Sequence, residues 1–332
     1  MTTTATPPVA AKPRVRWGRV GLFYGLALGW VCLVAAGLYL TGTRDLSGGQ
    51  SFSLTTAAIA VLYMPAPLVA ALIVQRLNGE RGAFRAAFSG LKRVLLRLLV
   101  IVPLLCVGLL LAMLGLTWLA GNALGVDGAG RVLTSHDDLV ANTLRLVGSM
   151  DADQVSALSA ATPSFWVLVL MALVGALVAG FTVNGLFALG EEYGWRGFLA
   201  DELRPLGAFW ANVLTGVLWG LWHGPLILMG FNYDGYGRIG TAFMIAFCVP
   251  LSFLLWRVRQ VSGSVLGAAV LHGALNGFAG VFLIVVYDAN PLIGAPVGLL
   301  GACAIAVVAA VFWWATRGRV QPGVLTDIGD GS

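Results

Sequence analysis

The sequence predicts an all-α membrane protein that crosses the bilayer about eight times. Of its 332 residues, 58% are hydrophobic and only 11% are charged, whereas soluble domains carry about 25% charged residues. Apolar runs recur along the chain, most of them near the roughly twenty residues that a helix needs to cross a bilayer. Lys and Arg also concentrate at alternate ends of these runs, which accounts for the net charge of +5 by membrane topology. We therefore expect the lipid bilayer as a partner and no nucleic acid.

Eight apolar segments are predicted to span. A kink is expected in the second, which contains two prolines, and an interruption at Gly224-Pro225 in the fifth, because broken helices are tolerated where neighbouring helices satisfy the backbone. The sixth is short. In chain order the segments are Val20–Leu40, Ala57–Val74, Leu98–Leu119, Phe165–Leu189, Trp210–Phe231, Thr241–Trp256, Val261–Val286 and Ile293–Thr316.

The distribution of positive charge predicts the orientation. With the N-terminus inside and eight crossings, sixteen of the 20 Lys and Arg residues fall on the inner side. The four on the outer side are Arg44, Arg131, Arg145 and Arg238. Since inner loops of membrane proteins carry the excess of positive charge, we expect both termini to be cytoplasmic, and we expect a bacterial inner (plasma) membrane as the location.

The rest of the chain is organised around a single membrane domain, residues 17–316. Residues 1–16 are predicted to be a disordered tail and residues 317–332 a polar C-terminal tail. Residues 121–163 form the one long polar insertion, which would lie outside the cytoplasm, and its Asp137–Met150 stretch has helical periodicity. Residues 164–286 hold the ionisable groups that point to a function.

The first of these groups is Glu191-Glu192, with Arg196 close behind, at the end of the fourth apolar run. Charged groups in membrane segments are costly, and they commonly face a bundle interior and mark a functional site. Adjacent helical residues point about 100° apart. We therefore expect Glu191 to face a cavity while Glu192 pairs with Arg196 at i+4. The alternative is an interfacial charge cluster that caps a helix end.

Two of the three histidines lie in later apolar runs. His223 precedes Gly224-Pro225, where the helix should break, and His272 shares a helix face with Asn276 at i+4. Each has a structural alternative: His223 as a packing residue among aromatics, and His272 with Asn276 as a helix–helix hydrogen bond between small-residue faces.

Together these polar groups contain what hydrolysis of an amide by water requires. A carboxylate can activate water, imidazoles can orient it or transfer protons, and an amide can stabilise an oxyanion. The depth of both histidines predicts that Glu191 lies close to them, and that the fourth helix starts late or tilts.

The ordered motifs Glu191-Glu192-x-x-x-Arg196, aromatic-x-x-x-His223 and His272-x-x-x-Asn276 resemble those of the CPBP family, which comprises the type II CAAX prenyl endopeptidases and the Abi proteins. The resemblance covers the C-terminal half and implies an intramembrane endopeptidase with a cytoplasm-facing cavity. It gives Glu191 the role of water-activating base, with Glu192, Arg196, His223 and His272 as the remaining catalytic positions and Asn276 as the oxyanion donor. The family commonly has Phe four residues before the second-motif histidine, and here that residue is Trp219.

The metal is left open. Glu191, His223 and His272 could form a three-ligand zinc site with one open position, but the sequence lacks His-Glu-x-x-His, and a water activated by glutamate without a tightly held metal is also proposed for the family. The substrate implied is a peptide or protein, lipidated or membrane-associated. The alternatives from other classes are a non-catalytic scaffold or bacteriocin-immunity-type protein and, with less support, a transporter.

Overall fold

The computed structural model describes residues 14–46, 57, 59–80, 82–86, 91–148 and 150–319. Most of the predicted 1–16 tail and of the 317–332 tail therefore lies outside the described residues. In chain order the α-helices are α1 Trp17–Leu40, α2 Ala66–Leu77, α3 Ala83–Ala86, α4 Leu91–Thr117, α5 His136–Val147, α6 Ala152–Ala161, α7 Phe165–Phe181, α8 Val183–Glu192, α9 Ala200–Leu203, α10 Gly207–Trp222, α11 Gly224–Ile227, α12 Gly237–Ser262, α13 Val265–Gly277, α14 Ala279–Val285 and α15 Leu299–Ala315.

Several helices continue into other helical forms. The π-helical segments of the described chain are Ile59–Tyr63, Trp118–Ala123 and Tyr193–Leu199, and Arg204–Leu206 is a 3-10 turn. Two short strands, β1 Ala129–Val132 and β2 Val286–Ala289, pair antiparallel with Arg131 opposite Tyr287. The protein is thus an all-α polytopic membrane fold with one small strand pair.

Five helical stretches are long and apolar enough to cross a membrane, within the part of the chain that the structure describes: α1, Ile59–Leu77, Leu91–Ala123, α12 and Val265–Val285. A sixth is added if α6 and α7, which meet at a 72° bend, count as one span. The last apolar helix, α15, is shorter. The all-α membrane class is confirmed, while the count of eight crossings and the cytoplasmic termini stay predictions.

The fourth predicted span is not continuous. It breaks at Thr182, whose backbone (φ −127°, ψ −114°) is not helical and separates α7 from α8. Small residues on either side let the break pack directly on α13: a Cβ on Gly180 would lie 2.6 Å from the Val270 carbonyl oxygen. Hydropathy reports no such break because most residues around it are apolar or small and the one large polar side chain, Asn184, is isolated.

The sixth and seventh predicted spans also have different bounds. The sixth was expected to be short, but α12 has 26 residues and extends through Arg257 and Gln260. Both polar side chains are buried and hydrogen-bonded inside the protein, so the helix continues past the end of the apolar run. The seventh starts later than predicted, at Val265, where Ser264 caps the helix, and it is interrupted at Phe278.

The polar insertion 121–163 is folded. The predicted helix over Asp137–Met150 is present as α5, and it is followed by α6, whose N-terminus carries a capping box formed by Asp151 and Gln154. Asn142 of α5 donates hydrogen bonds to the carbonyls of Leu283 and Ile284 at the end of α14. The insertion therefore closes over one end of the helix bundle.

Polar contacts collect at the opposite end, which we call the basic end and define by Arg16, Arg19, Glu80, Glu202 and Arg257. Arg16 and Arg19 of the N-terminal region pair with Glu202 and Glu80. Arg257 bonds Thr316 just beyond α15. Helix ends that are far apart in sequence meet here, and all the Arg residues among them belong to the set predicted to be cytoplasmic.

Candidate active site

The two glutamates end α8 inside the protein. Glu191 is 3% exposed, Glu192 is fully buried and Arg196, in the following π-helical segment, is 1% exposed. Both carboxylates and the guanidinium therefore lie inside the protein and do not form an exposed charge cluster at a helix end. Short π-helical segments are frequent at functional sites.

Close glycine packing accounts for this depth. A Cβ on Gly190 would lie 2.9 Å from the Met64 carbonyl oxygen, and one on Gly194 would lie 2.4 Å from the Pro67 Cβ. Neither position has room for a side chain, so the backbone of Glu191 and Glu192 lies directly against the start of α2. The segment between Gly190 and Gly194, which contains both glutamates, therefore lies between helices and not at the protein surface.

One carboxylate oxygen of Glu192 contacts two side chains, a guanidinium and an imidazole. Its Oε1 accepts a hydrogen bond from Arg196 Nη1 at 2.9 Å and lies 2.9 Å from His272 Nδ1. The predicted i+4 pair between Glu192 and Arg196 is confirmed. The partner of His272 is Glu192, which extends the supporting role that the sequence assigned to this residue.

Glu191 is held from another helix. Its Oε2 accepts a hydrogen bond from the indole Nε1–H of Trp219 in α10 at 2.8 Å. The backbone carbonyl of Trp219 in turn lies 2.9 Å from His223 Nδ1, at the break between α10 and α11. Because a carbonyl can only accept, His223 carries its proton on Nδ1 when neutral, and its Nε2 is then an acceptor.

Besides Glu191, the indole of Trp219 contacts Arg196 and both histidines of the site. The Arg196 guanidinium carbon lies 4.1 Å from its ring centroid. The imidazoles of His272 and His223 lie 5.3 Å and 5.8 Å from it, centroid to centroid. We call the set Glu191, Glu192, Arg196, Trp219, His223 and His272 the Trp219 cluster. Three separate stretches of chain thus bring their motif residues around one aromatic ring.

Three further residues complete the surroundings, and the sequence reasoning missed them. Ser252 of α12 is fully buried and accepts a hydrogen bond from Arg196 Nη2 at 2.9 Å. Asn184 of α8 donates to the Gly273 carbonyl, next to His272. Tyr63 donates to the Trp222 carbonyl at 2.6 Å, beside the helix break. Their only signal in the sequence is a lone polar group inside an apolar run.

Asn276 is placed differently from the other predicted residues. It lies one turn after His272 on α13, as the i+4 spacing requires, but its side chain is exposed. The structure therefore brings Glu191, Glu192, Arg196, His223 and His272 together and leaves the Asn276 side chain at the edge of the cluster.

The metal prediction stays a prediction. Within the described residues, no three His, Cys, Asp or Glu side chains converge as metal ligands do. Glu191 Oε2 accepts from Trp219, and the Nδ1 atoms of His223 and His272 face protein acceptors. These contacts leave Glu191 Oε1 and both Nε2 atoms for other partners, and metal-bound histidines commonly turn their second ring nitrogen to acceptors of this kind.

The charges of the cluster can balance internally. With both carboxylates ionised, one guanidinium and one protonated His272 make the group neutral. Buried charges are tolerated when they are paired in this way. One carboxylate oxygen, Glu192 Oε2, and one guanidinium nitrogen, Arg196 Nε, lack a hydrogen-bond partner among the described residues. Such unpaired buried atoms are rare in proteins and call for a physical reason.

Buried glutamates, histidines and an arginine around one tryptophan ring define a polar cluster inside a membrane protein. Residues 161–278 match the family described as Type II CAAX prenyl endopeptidase Rce1-like. Over 98 residues, the chain is 31% identical to CAAX prenyl protease 2 of Methanococcus maripaludis. That alignment covers 27% of this chain and 36% of the relative. Both matches confirm the CPBP resemblance for the segment that carries the Trp219 cluster.

Proposed function

We propose that this protein is an intramembrane endopeptidase in which Glu191 activates a water molecule for attack on a peptide bond. The observation that carries the proposal is the environment of Glu191. Its carboxylate is buried, one oxygen is fixed by Trp219, and the same indole contacts both motif histidines. A positioned carboxylate with imidazoles beside it is the arrangement that general acid–base catalysis uses.

In the proposed reaction, Glu191 takes a proton from water as the water oxygen attacks the peptide carbonyl carbon. The carbonyl oxygen becomes an oxyanion, the C–N bond then breaks, and the proton held by Glu191 passes to the leaving amine. The products are a carboxylic acid and an amine, and transfer of the acid proton to the amine gives a new carboxylate and a new ammonium group. His223, whose Nε2 is turned away from its backbone acceptor, is suited to orient the attacking water.

Glu192 and Arg196 act on this reaction through His272. The Glu192 carboxylate accepts from His272 Nδ1 and fixes its orientation, so that Nε2 faces away from the ion pair. Arg196, held by Glu192 and Ser252, supplies a permanent positive charge beside the cluster. Positive charge and oriented donors favour an anionic transition state in a site that excludes water.

By its resemblance to the third motif, Asn276 would donate a hydrogen bond to the oxyanion. Its exposed position at the edge of the cluster suits a residue that meets the substrate instead of the other catalytic groups. The substrate class that we propose is a peptide or protein in or at the membrane, reached from the cytoplasmic side. The matched relative is named for prenylated CAAX proteins, so a lipidated C-terminus is one substrate to test.

The test compares membranes from cells that express wild type or Glu191→Gln. New protein N-termini and C-termini are identified by mass spectrometry, and the candidate peptides are then offered to each purified protein in proteoliposomes. We expect cleavage by wild type and a loss of at least about 100-fold in Glu191→Gln, the size typical of general-base removal. The melting temperatures of the two proteins should agree, because glutamine can still accept from Trp219.

One observation keeps a non-catalytic scaffold as the second candidate: the cluster ties three stretches of membrane chain together through buried hydrogen bonds. If wild type cleaves nothing and both Glu191→Gln and His272→Ala lose thermal stability in detergent, the cluster is a structural lock and the endopeptidase proposal is wrong. Solute flux in proteoliposomes that persists in Glu191→Gln would point to a transporter instead.

A further inference from the structure

We infer that Trp219 is a positioning residue for Glu191, and that its indole N–H, more than its ring, is what the reaction requires. This inference rests on the proposed function and adds a residue to it. The bond from Nε1 of Trp219 to Oε2 of Glu191 is 2.8 Å long and joins two buried groups on different helices. An indole nitrogen is a donor only, so the direction of this bond is fixed.

The bond restricts the carboxylate to one orientation. With Oε2 held by the indole, Oε1 is the oxygen left to take a proton from water, and its lone pairs point away from Trp219. A hydrogen bond from a neutral donor to an ionised carboxylate is stronger than one between neutral groups. Phe, which has no N–H, would leave the buried carboxylate free to rotate.

The same residue also sets the position of Glu191 relative to its neighbours. The Trp219 carbonyl holds His223, the ring lies under the Arg196 guanidinium, and its edge meets His272. The indole is 1% exposed, so it has little freedom to move. A shift of this ring would move the carboxylate relative to both imidazoles.

The position of the Trp219 ring is fixed by the close packing of the helix that carries it. A Cβ on Gly220 would lie 2.5 Å from the Ile245 Cα, and one on Gly216 would lie 2.6 Å from the Val249 Cα. Glycines on both sides of Trp219 therefore let α10 lie directly against α12. The indole is in this way presented to Glu191 by two helices in backbone contact.

Trp219→Phe distinguishes the role of the indole N–H from that of the ring, because it keeps an aromatic face for Arg196 and removes the donor. The matched control is Trp195→Phe. Trp195 is fully buried, packs on Phe23 at 5.4 Å, and its Nε1 has no hydrogen-bond partner among the described residues. Both variants remove the same atoms from a buried site, and only the first removes a bond to a carboxylate.

In proteoliposomes, Trp219→Phe should lower kcat about tenfold and leave KM within twofold, the effect of losing one hydrogen bond to a charged group. Trp195→Phe should keep kcat per folded molecule within twofold. An unchanged kcat in Trp219→Phe overturns the inference. A raised KM with unchanged kcat does so too, since the indole would then contact substrate instead of positioning Glu191.

A second measurement does not depend on cleavage. Dicyclohexylcarbodiimide reacts with a carboxyl oxygen inside membrane proteins, and an oxygen occupied by an N–H should react slowly. We expect labelling of the Glu191 peptide to be several-fold faster in Trp219→Phe than in wild type or Trp195→Phe, with Glu192 labelled equally in all three. Equal labelling of Glu191 contradicts the inference. Faster labelling without cleavage by wild type keeps the positioning bond and removes the proposed function.

Discussion

Two buried arginines of this protein lie over tryptophan rings, and their partners differ. Arg196 lies 4.1 Å from the Trp219 ring centroid and Arg257 lies 4.6 Å from that of Trp313. Arg196 bonds a buried carboxylate in the middle of the molecule. Arg257, at the basic end, donates from all three of its nitrogens to Thr316 and Gln260, and so ties the end of α12 to the end of α15.

This difference separates an arginine that ties two helix ends together from one in the proposed catalytic cluster. Arg257 has a hydrogen-bond acceptor for each nitrogen. Among the described residues, Arg196 Nε has no hydrogen-bond partner, and neither does Oε2 of its partner Glu192. Burial on an indole is common to both and so carries no information about function. What distinguishes the Trp219 cluster is that its arginine faces a carboxylate that also holds a histidine.

The largest expected effect comes from Arg196→Lys. A lysine is a point charge that cannot reach Glu192 and Ser252 in the fixed geometry of the guanidinium fork. We expect cleavage to fall at least about 100-fold through the loss of His272 orientation and of the charge arrangement. The unfolding free energy should fall by about 1.5–3 kcal/mol, the range for a lost hydrogen bond to a charged group. Cleavage assays and detergent unfolding measure the two effects.

Arg257→Lys is the matched variant for this comparison. It should lose a similar unfolding free energy, because Thr316 and Gln260 lose their donors, while cleavage per folded molecule stays within about twofold of wild type. If Arg257→Lys loses cleavage as severely as Arg196→Lys, the distinction between the two arginines is wrong.

A smaller effect is expected from Gly194→Ala, which tests whether close packing against α2 buries the Trp219 cluster. The new Cβ would lie 2.4 Å from the Pro67 Cβ, so the π-helical segment or α2 must shift. Overpacking of this kind costs about 1–3 kcal/mol of unfolding free energy. Gly197→Ala is the control in the same segment, since its Cβ would meet Tyr193 at an ordinary 3.7 Å. Equal melting temperatures for the two variants would contradict the close packing proposed to bury Glu191.

The smallest effect belongs to the basic end. Hydrogen bonds from Arg19, and the charge of Arg16 nearby, lower the pKa of Glu80 below its ordinary value. Its contribution to stability is therefore full above the unfolded pKa of about 4.3 and is lost as the pH falls through the folded pKa. Because the Glu80 side chain is 36% exposed, we expect less than about 1 kcal/mol.

Glu80→Gln isolates this contribution. The melting temperature of the variant should fall below that of wild type at pH 7, and the two should converge as the pH falls below the folded pKa of Glu80. A difference that persists once Glu80 is protonated in wild type would show that the carboxylate charge is not the cause.

Part of this site was predictable from the sequence because its chemistry is local. Charged residues in apolar runs are costly enough to stand out, and i+4 spacing placed Arg196 on Glu192 correctly. His223 was expected beside a helix break, and the structure has the break at that residue. In each case the relevant contact lies within one turn of the chain, so spacing alone determines it.

The remaining features depend on contacts between distant parts of the chain. The break at Thr182 arises because Gly180 and Gly185 meet α13. Helix α12 extends through Arg257 because Thr316, just beyond α15, and Gln260 supply its acceptors. The bond from Trp219 to Glu191 joins residues 28 positions apart. Hydropathy and periodicity describe one segment at a time, and for that reason they gave a continuous fourth span, a short sixth span and no partner for Glu191.

The central claim, that Glu191 activates water, is tested most directly by a single turnover in H₂¹⁸O with an excess of enzyme over a cleaved peptide. General-base catalysis predicts one ¹⁸O atom in the new product carboxylate and none in Glu191, as read by mass spectrometry of both peptides. Attack by Glu191 itself would form a mixed anhydride with the substrate acyl group. Water that opens this anhydride at the Glu191 carbonyl would place ¹⁸O in the Glu191 side chain and leave the first product unlabelled, and that result would contradict the account.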